Sequence, residues 1–322
     1  MEYIFLAVIL FVLMIVYFKI ANRYHIIDNP DQDDRRAHTI PTLRGGGIIF
    51  WFCYLIYFLQ NPDSNAIFFV GITIVSLVSF IDDIKTVPNI FRIVAQFVSI
   101  SLIFYILQMF DILPFWFVGI AFVFFVGVIN AYNFMDGING MTGLYTIAVL
   151  SSFLYVQLYM IDFTDIRFIL YPAVAILVFL FFNFRKKAMC FAGDVGSISI
   201  AFWVVFLLLQ LILKTENLVW ILFFLIYGID TVCTILHRLV LRHNIFQAHR
   251  YHYYQLLCNN LKFDHRLVSF LYAILQFTVS AIVLFFYKSG FGFYPYFIVM
   301  FIFVLIYLTK FIIIKKYNFQ IP

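Results

Sequence analysis

Two adjacent carboxylates close an apolar stretch of this chain, where Asp82 and Asp83 are followed by Lys85. Neighbouring carboxylates repel each other, and burying them costs several kcal/mol unless a cation compensates. The pair therefore predicts either a metal or base site, or a solvated helix end that Lys85 neutralises. Arg92 and Gln96 are four residues apart and share one face of the next helix.

A second polar cluster occupies residues 130–140, which contain three Asn, one Asp and two Gly. Asn133 and Asp136 are about one helical turn apart, and Asn139 lies between the two glycines. Glycine relaxes the backbone where a chain must turn, but a plain turn needs only one Asn or Asp and one glycine. The excess of amide and carboxylate groups favours a ligand-binding site.

A third motif joins Asn183 to the segment Phe-Ala-Gly-Asp-Val-Gly-Ser at 191–197. Asp194 stands where a helix N-cap residue is common, which is the structural interpretation. The functional interpretation is that the same turn presents backbone N–H groups to a phosphate.

Histidine and arginine dominate the last long polar segment, which contains His243, His249, Arg250 and His252. Such groups facing carboxylate clusters are suited to binding a phosphate. Asp230 lies in the apolar stretch before this segment, and a carboxylate inside a membrane span is a functional candidate by default. Its alternative role is to pair with a basic residue of the same loop.

The stretches that carry these motifs require a lipid bilayer. Of the 322 residues, 65% are hydrophobic and 11% charged, and mean hydropathy is +1.01, whereas a soluble domain is about half apolar and a quarter charged. Because a span needs roughly 20 apolar residues, the sequence predicts an all-α polytopic bundle of about eleven transmembrane helices, forming a single domain over 1–322. The predicted spans are 3–20, 46–60, 66–82, 91–110, 114–131, 141–160, 167–183, 196–213, 218–240, 267–287 and 292–314.

Loop charges predict the orientation of this bundle. Counted on alternate sides of the spans, 18 of the 21 Lys and Arg residues fall on one side and three on the other. The positive-inside rule then places the N-terminus outside and the C-terminus in the cytoplasm. All the polar motifs fall on the cytoplasmic side. Because the basic residues are divided among short loops, a nucleic-acid partner is not expected.

Taken in order, the motifs resemble those of the polyprenyl-phosphate N-acetylhexosamine-1-phosphate transferases, which are of the bacterial glycosyltransferase family 4 type. The resemblance runs from Asp28 to Gln255. It implies transfer of N-acetylhexosamine 1-phosphate from a UDP-sugar to undecaprenyl phosphate, giving a polyprenyl-diphospho-sugar and UMP. It also implies a bacterial cytoplasmic membrane protein with a cytoplasmic active site, Mg²⁺ as cofactor with Mn²⁺ as a substitute, and the homodimer that is common in the family.

Residue roles follow from matching the family's motifs to this chain. The aspartate pair, the Asn-rich motif, the Gly-Asp motif and the late histidine motif each have a counterpart here. The implied catalytic residues are Asp82, Asp83, His249 and His252. The implied metal ligands are Asp194 and Asp136. The implied substrate-binding residues are Asn133, Asn139, Asn183, Arg250 and Lys85.

Within that family, the His-Arg-Tyr-His order at 249–252 is similar to the branch that initiates O-antigen, lipopolysaccharide or capsular glycans. The alternative is phospho-N-acetylmuramoyl-pentapeptide transfer in peptidoglycan synthesis, whose enzymes carry consecutive histidines at this point. A secondary transporter is the alternative from another class, but transporters place polar groups near the bilayer midplane and often contain repeats.

Two mechanisms compete for such a transfer. In one, an Asp of the pair becomes a covalent carrier of the phospho-sugar; in the other, the lipid phosphate attacks directly. A phosphate monoester has a second pKa of about 6 and is mostly deprotonated at neutral pH. Direct attack therefore needs little help from a strong base and is the preferred hypothesis.

Overall fold

The computed structural model describes residues 1–28, 41–244, 250–317 and 319, without the side chains of residues 63–65. The chain is an all-α polytopic membrane protein, as predicted. Its helices are α1 Glu2–Arg23, α2 Ile48–Gln60, α3 Pro62–Ile84, α4 Asn89–Ile106, α5 Met109–Ile112, α6 Phe115–Met135, α7 Met141–Tyr159, α8 Ile166–Asn183, α9 Gly193–Thr215, α10 Leu225–Val240, α11 Tyr253–Gln255, α12 His265–Lys288 and α13 Tyr294–Tyr317.

Ten helical segments in the described part of the chain are long and apolar enough to cross a membrane. Each corresponds to one of the predicted spans. The ninth of the predicted eleven begins differently, because Leu218–Phe224 forms a 3-10 helix that leads into α10. The second predicted span corresponds to α2, which has only 13 residues and is therefore about 20 Å long.

Contacts at its two ends show that α2 nevertheless connects the start of α9 with the end of the bundle where α1 begins. At its start, Gly47 approaches Gly196 at the start of α9 so closely that a Cβ on Gly47 would lie 2.2 Å from the Gly196 Cα. At its end, Gln60 Oε1 lies 2.6 Å from the Tyr171 hydroxyl, which is also 2.6 Å from Glu2 Oε1. Since Glu2 begins α1, the first helix starts at the end opposite Gly47.

Helix α9 is the central element of the bundle. Over its apolar stretch, 89% is buried inside the protein, and it packs against α2, α3, α6 and α7. Helix α13 is the opposite case, with 17% buried, so most of its surface faces the surroundings of the bundle.

A two-stranded antiparallel hairpin, β1 Ile27–Asp28 and β2 Thr42–Leu43, lies at the end where α1 finishes. Leu43 also forms a parallel bridge to Cys190, and the N–H groups of Gly46 and Gly47 donate to the carbonyls of Phe191 and Ala192. The early glycine segment is thereby fixed against the start of α9.

Candidate active site

Two arginines reach the predicted aspartate pair from outside its own helix. Arg92 Nη1 lies 3.0 Å from Asp82 Oδ2, and Arg44 Nε lies 2.6 Å from Asp83 Oδ1. Both carboxylates are buried. Lys85 is exposed, so the interpretation of a solvated helix end that Lys85 neutralises is wrong, and the arginines compensate the charge instead.

Asp83 caps the N-terminus of α9, although it belongs to α3. Its Oδ1 accepts a hydrogen bond from the Asp194 N–H at 2.9 Å, and its Oδ2 accepts one from the Val195 N–H at 3.0 Å. A carboxylate at a helix N-terminus is stabilised by both the orphan N–H groups and the helix dipole. The expectation that this turn offers these N–H groups to a phosphate is therefore not met, because Asp83 occupies them.

Asp194 is the second residue of α9 and forms no side-chain cap there, since the N-cap residue is Ala192. The N-cap interpretation of Asp194 is thus wrong. Its Oδ2 lies 2.8 Å from Arg92 Nη2 and its Oδ1 lies 3.3 Å from Arg44 Nη2. Each arginine therefore bridges Asp194 to one member of the aspartate pair.

Three carboxylates and two guanidinium groups thus form one compact cluster, which we call the Asp–Arg cluster (Asp82, Asp83, Asp194, Arg44 and Arg92). The side chains of Asp82 and Asp194 are close enough to share a hydrogen bond. Paired carboxylates of this kind are the donors that Mg²⁺ uses together with substrate phosphates, so the residue types fit the metal. In the described residues, however, no group of three or more His, Cys, Asp or Glu side chains has metal-site geometry.

The predicted amide residues assemble beside this cluster. Asn183 Oδ1 accepts from the Gly140 N–H at 2.7 Å, and its amide donates to the Cys190 carbonyl at 2.9 Å. Asn139 donates to the Arg185 carbonyl at 2.8 Å. Asn139 and Asn183 therefore hold the 130–140 and 183–191 segments together, and both side chains are buried.

Asp136 accepts a hydrogen bond from the Thr142 hydroxyl at 2.7 Å, across the turn between α6 and α7. Burial of the Cys190 thiol and the negative charge of Asp136 both raise the pKa of that thiol. Cys190 is therefore a neutral thiol and a poor nucleophile. Asp136 and Asp194, the two predicted metal ligands, thus belong to adjoining groups of side chains. Asn133 is half-buried on α6.

His252 is the N-cap residue of α11 and is buried, with 2% of its surface exposed. Its Nδ1 lies 3.3 Å from Oδ1 of Asp230, which is the intramembrane carboxylate of α10. The alternative that Asp230 pairs with a basic residue of the loop is therefore confirmed. Its neighbour Tyr254 donates from its hydroxyl to the Phe134 carbonyl at 3.0 Å, which joins this segment to the Asn-rich turn.

Two other predicted residues in this loop have different outcomes. His249 lies outside the described residues, so its predicted role stays a prediction. Arg250 is described and is exposed, as Lys85 is. Their roles in substrate binding also stay predictions.

Three residues at the site were not among the predicted site residues: Arg44, Arg92 and Lys310. Arg92 had a usable signal, because it lies in the first turn of a helix within ten residues of the aspartate pair. Lys310 had a clearer one, since it is a cation inside an apolar span; it is fully buried in α13. Arg44 had no sequence signal beyond its position before three glycines.

Fold and site together define a polytopic, all-α membrane protein with an Asp–Arg cluster and an adjoining Asn-rich turn at one end of the bundle. Residues 65–212 match the model of the family described as Glycosyl transferase family 4. A domain of this kind is therefore supported over a little under half of the chain. The matched range includes the aspartate pair and Asp194, and it ends before Asp230 and His252.

Several similar proteins carry the name phospho-N-acetylmuramoyl-pentapeptide-transferase. The protein from Petrotoga mobilis is 28% identical over 205 residues, which cover 54% of this chain and 61% of that protein. A protein from Clostridium perfringens is 29% identical over 238 residues, covering 65% and 70%. One from Thermotoga neapolitana is 26% identical over 261 residues, covering 74% and 83%. The match thus spans about three fifths of the first of these relatives.

Proposed function

We propose that this protein is a membrane phosphotransferase that transfers an N-acetylhexosamine 1-phosphate from a UDP-sugar to undecaprenyl phosphate, releasing UMP. The Asp–Arg cluster is the observation that carries the proposal. It joins residues 111 positions apart in the chain into a compact group at one end of a membrane bundle. The family match over residues 65–212 supports the same class of reaction.

The charges of the cluster suit a reaction between two phosphate-bearing substrates. When all three carboxylates are ionised, they leave one net negative charge against the two guanidinium groups, which favours binding of a divalent cation. Phosphoryl transfer depends mainly on positioning and charge neutralisation. Asp194 and Asp82 are the residues that would hold Mg²⁺, with Asp136 nearby, and the metal would supply charge stabilisation at the diphosphate.

The remaining residues have roles that follow from their contacts. Arg44 and Arg92 each touch two carboxylates, so they orient those side chains and can turn toward phosphate oxygens when a metal takes their place. Asp83 is committed to the N-terminus of α9, which makes it a positioning residue in this structure. Direct attack by the lipid phosphate remains the preferred mechanism, because Asp83 is fully engaged and Asp82 accepts the Val87 N–H at 2.6 Å.

Two donors are candidates for the sugar. The order His-Arg-Tyr-His at 249–252 favours an N-acetylhexosamine donor and a role in initiating an O-antigen or capsular glycan. The names of the relatives favour UDP-N-acetylmuramoyl-pentapeptide as the second candidate and peptidoglycan synthesis as its pathway. In either case the site would lie on the cytoplasmic face of a bacterial inner membrane, where the nucleotide and the lipid phosphate meet.

The test is UMP release by the purified protein with undecaprenyl phosphate, Mg²⁺ and a panel of UDP-N-acetylhexosamines, together with the muramoyl-pentapeptide donor. We expect lipid-dependent release with one of the simple donors. Release only with the muramoyl donor would assign the second candidate. If no donor gave lipid-dependent UMP while a known transferase did so in the same assay, both candidates would be wrong.

A further inference from the structure

A buried polar network lies beyond the Asp–Arg cluster, where α10, α12 and α13 meet the segment that carries His252. Its members are Asp230, Thr234, His252, Tyr272, Tyr307 and Lys310, and each has less than a tenth of its surface exposed. Neither the matched family range nor the proposed chemistry uses Asp230 or Lys310. Ionisable groups inside a span are costly to bury, so their retention requires a reason.

Asp230 collects hydrogen bonds from two other elements, α12 and the segment that begins α11. Its Oδ2 accepts from the Tyr272 hydroxyl of α12 at 2.6 Å. Its Oδ1 accepts from the Tyr253 N–H at 2.9 Å and lies 3.3 Å from His252 Nδ1. These donors hold Asp230 as a carboxylate, which requires the proton of His252 to be on Nδ1. In the neutral ring, Nε2 is then the nitrogen that can accept a hydrogen bond or a proton.

Lys310 holds the same segment from the other side. Its ammonium group donates to the Tyr251 carbonyl, the residue just before His252, and to the Tyr307 hydroxyl at 2.8 Å. Tyr307 lies 2.9 Å from the Thr234 hydroxyl, which donates to Asp230 Oδ1 at 3.3 Å. Because lysine can only donate, the bonds run in one direction, from Lys310 through Tyr307 and Thr234 to Asp230.

We propose that Asp230 and Lys310 are positioning residues that fix His252 and its backbone for the transfer reaction, so that α13 is part of the functional unit. The proposal rests on the proposed function for what His252 acts on. In this geometry Asp230 holds the side chain of His252, and Lys310 holds the main chain beside it. Together they prevent the ring and the segment from moving independently.

This arrangement explains why a cation is retained in α13, a helix that otherwise packs loosely. An apolar residue at position 310 would leave the Tyr251 carbonyl and the Tyr307 hydroxyl without their donor, and the Asp230 carboxylate without its nearby positive charge. The histidine segment would then lose its order, although α13 would remain in the membrane.

The experiment compares Lys310→Met and Lys310→Arg with Lys315→Met, which removes an exposed charge from the same helix. Hydrogen–deuterium exchange of the peptide containing residues 250–260 is measured first, in detergent and without substrate. We expect faster exchange of this peptide in Lys310→Met than in the wild-type protein. Exchange in Lys310→Arg should return toward the wild-type rate, and exchange in Lys315→Met should not change. This readout does not depend on the identity of the substrate.

The second readout is steady-state kinetics with the donor that gives lipid-dependent UMP release in the test of the proposed function. A misplaced catalytic group can cost up to about 100-fold in rate, so we expect Lys310→Met and Asp230→Asn to lower kcat by about tenfold or more with little change in the KM of the donor. Partial recovery of kcat in Lys310→Arg distinguishes positioning from general destabilisation.

Each outcome is decisive for one proposal. Unchanged exchange at 250–260 together with unchanged kcat in Lys310→Met would overturn the positioning role. Faster exchange in that variant, with a wild-type protein that releases no UMP from any donor, would support the positioning role and contradict the proposed function instead.

Discussion

Both oxygens of Asp194 have charged neighbours, because two arginines and the carboxylate of Asp82 lie beside them. Arg44 contacts one oxygen at 3.3 Å and Arg92 the other at 2.8 Å. A metal bound at Asp194, as proposed, would share these oxygens with the arginines. Under the proposed function, the residue would link the charge balance of the cluster to the binding of cation and diphosphate.

The variant Asp194→Asn removes the charge and retains the shape. We expect activity to fall by about 100-fold or more at saturating Mg²⁺, since loss of one electrostatic contact to a transition state typically costs about 10²–10³ in rate. The measurement is lipid-dependent UMP release across a Mg²⁺ titration. Asp111→Asn, on an exposed residue at the other end of the bundle, is the matched control. Near-normal activity in Asp194→Asn would contradict the metal assignment.

Two buried thiols give a prediction about pH. Burial raises the pKa of Cys190 and raises the pKa of Cys258 to about 12. Because the thiolate is the reactive form, a raised pKa lowers its population at pH 8, and reaction accelerates only as the pH approaches the higher value. We expect maleimide to modify both thiols slowly at pH 8 in the native protein and rapidly after denaturation in detergent.

Peptide mass spectrometry checks this, with Lys187→Cys as the control, since position 187 is exposed in the same loop as Cys190. Labelling of Cys190 as fast as that of the thiol introduced by the Lys187→Cys substitution would show that the loop does not pack as described. No sequence pattern distinguishes these two positions, which are three residues apart.

At the scale of elements, the packing of α2 against α9 is the contact on which the site depends. A Cβ on Gly47 would lie 2.2 Å from the Gly196 Cα and 2.8 Å from the Ala192 carbonyl oxygen. Both are backbone atoms, which cannot move aside as a flexible side chain can. The helix that follows Arg44 is thereby held directly beside the helix that begins at Gly193.

Gly47→Ala should therefore separate these two helix ends. We expect a loss of about 1–3 kcal/mol of stability, the usual range for overpacking, together with reduced activity. Thermal unfolding in detergent, followed by size exclusion, measures the stability. Gly127→Ala is the control, because nothing lies within 4 Å of a Cβ at that position; equal melting temperatures for the two variants would contradict the close contact.

Hydropathy predicted the long spans because each is a continuous apolar stretch, and a bilayer imposes its length on such elements. The 3-10 start of the segment at 218 could not be predicted this way, because Leu218–Phe224 is as apolar as a regular helix. The site residues Asp82, Asp83, Asp194 and Asn183 could be identified from sequence as unusual polar groups. Their pairing could not, since Arg44 meets Asp194 across 150 positions and the nearest cation in sequence, Lys85, is exposed.

On the scale of the whole molecule, the bundle has two distinct ends. Glu2 marks one end, whereas Asp83, Asp194 and the final turns of α13 lie at the other. The start of α1 and the final turns of α13 therefore lie at opposite ends of the bundle. The distribution of Lys and Arg predicts that the end with the site is cytoplasmic.

Membrane orientation can be measured with an impermeant maleimide on intact cells. We expect Ser289→Cys, an exposed position between α12 and α13, to react from outside, and Lys187→Cys to react only after the membrane is permeabilised. The wild-type chain supplies the background from its four cysteines. The reverse pattern would move the site to the outer face and exclude a cytoplasmic nucleotide as its donor.

Helix α2 also determines how deep the site lies. A helix about 20 Å long that runs from the end of the bundle where α1 begins toward the Asp–Arg cluster is shorter than a hydrocarbon layer of about 30 Å. Such hydrophobic mismatch is relieved by local thinning of the bilayer around the protein. We therefore expect the lipid headgroups beside α2 to be drawn inward, toward the depth of Asp83 and Asp194. Turnover should then depend on acyl-chain length, with short-chain lipids matching the protein better than long-chain lipids.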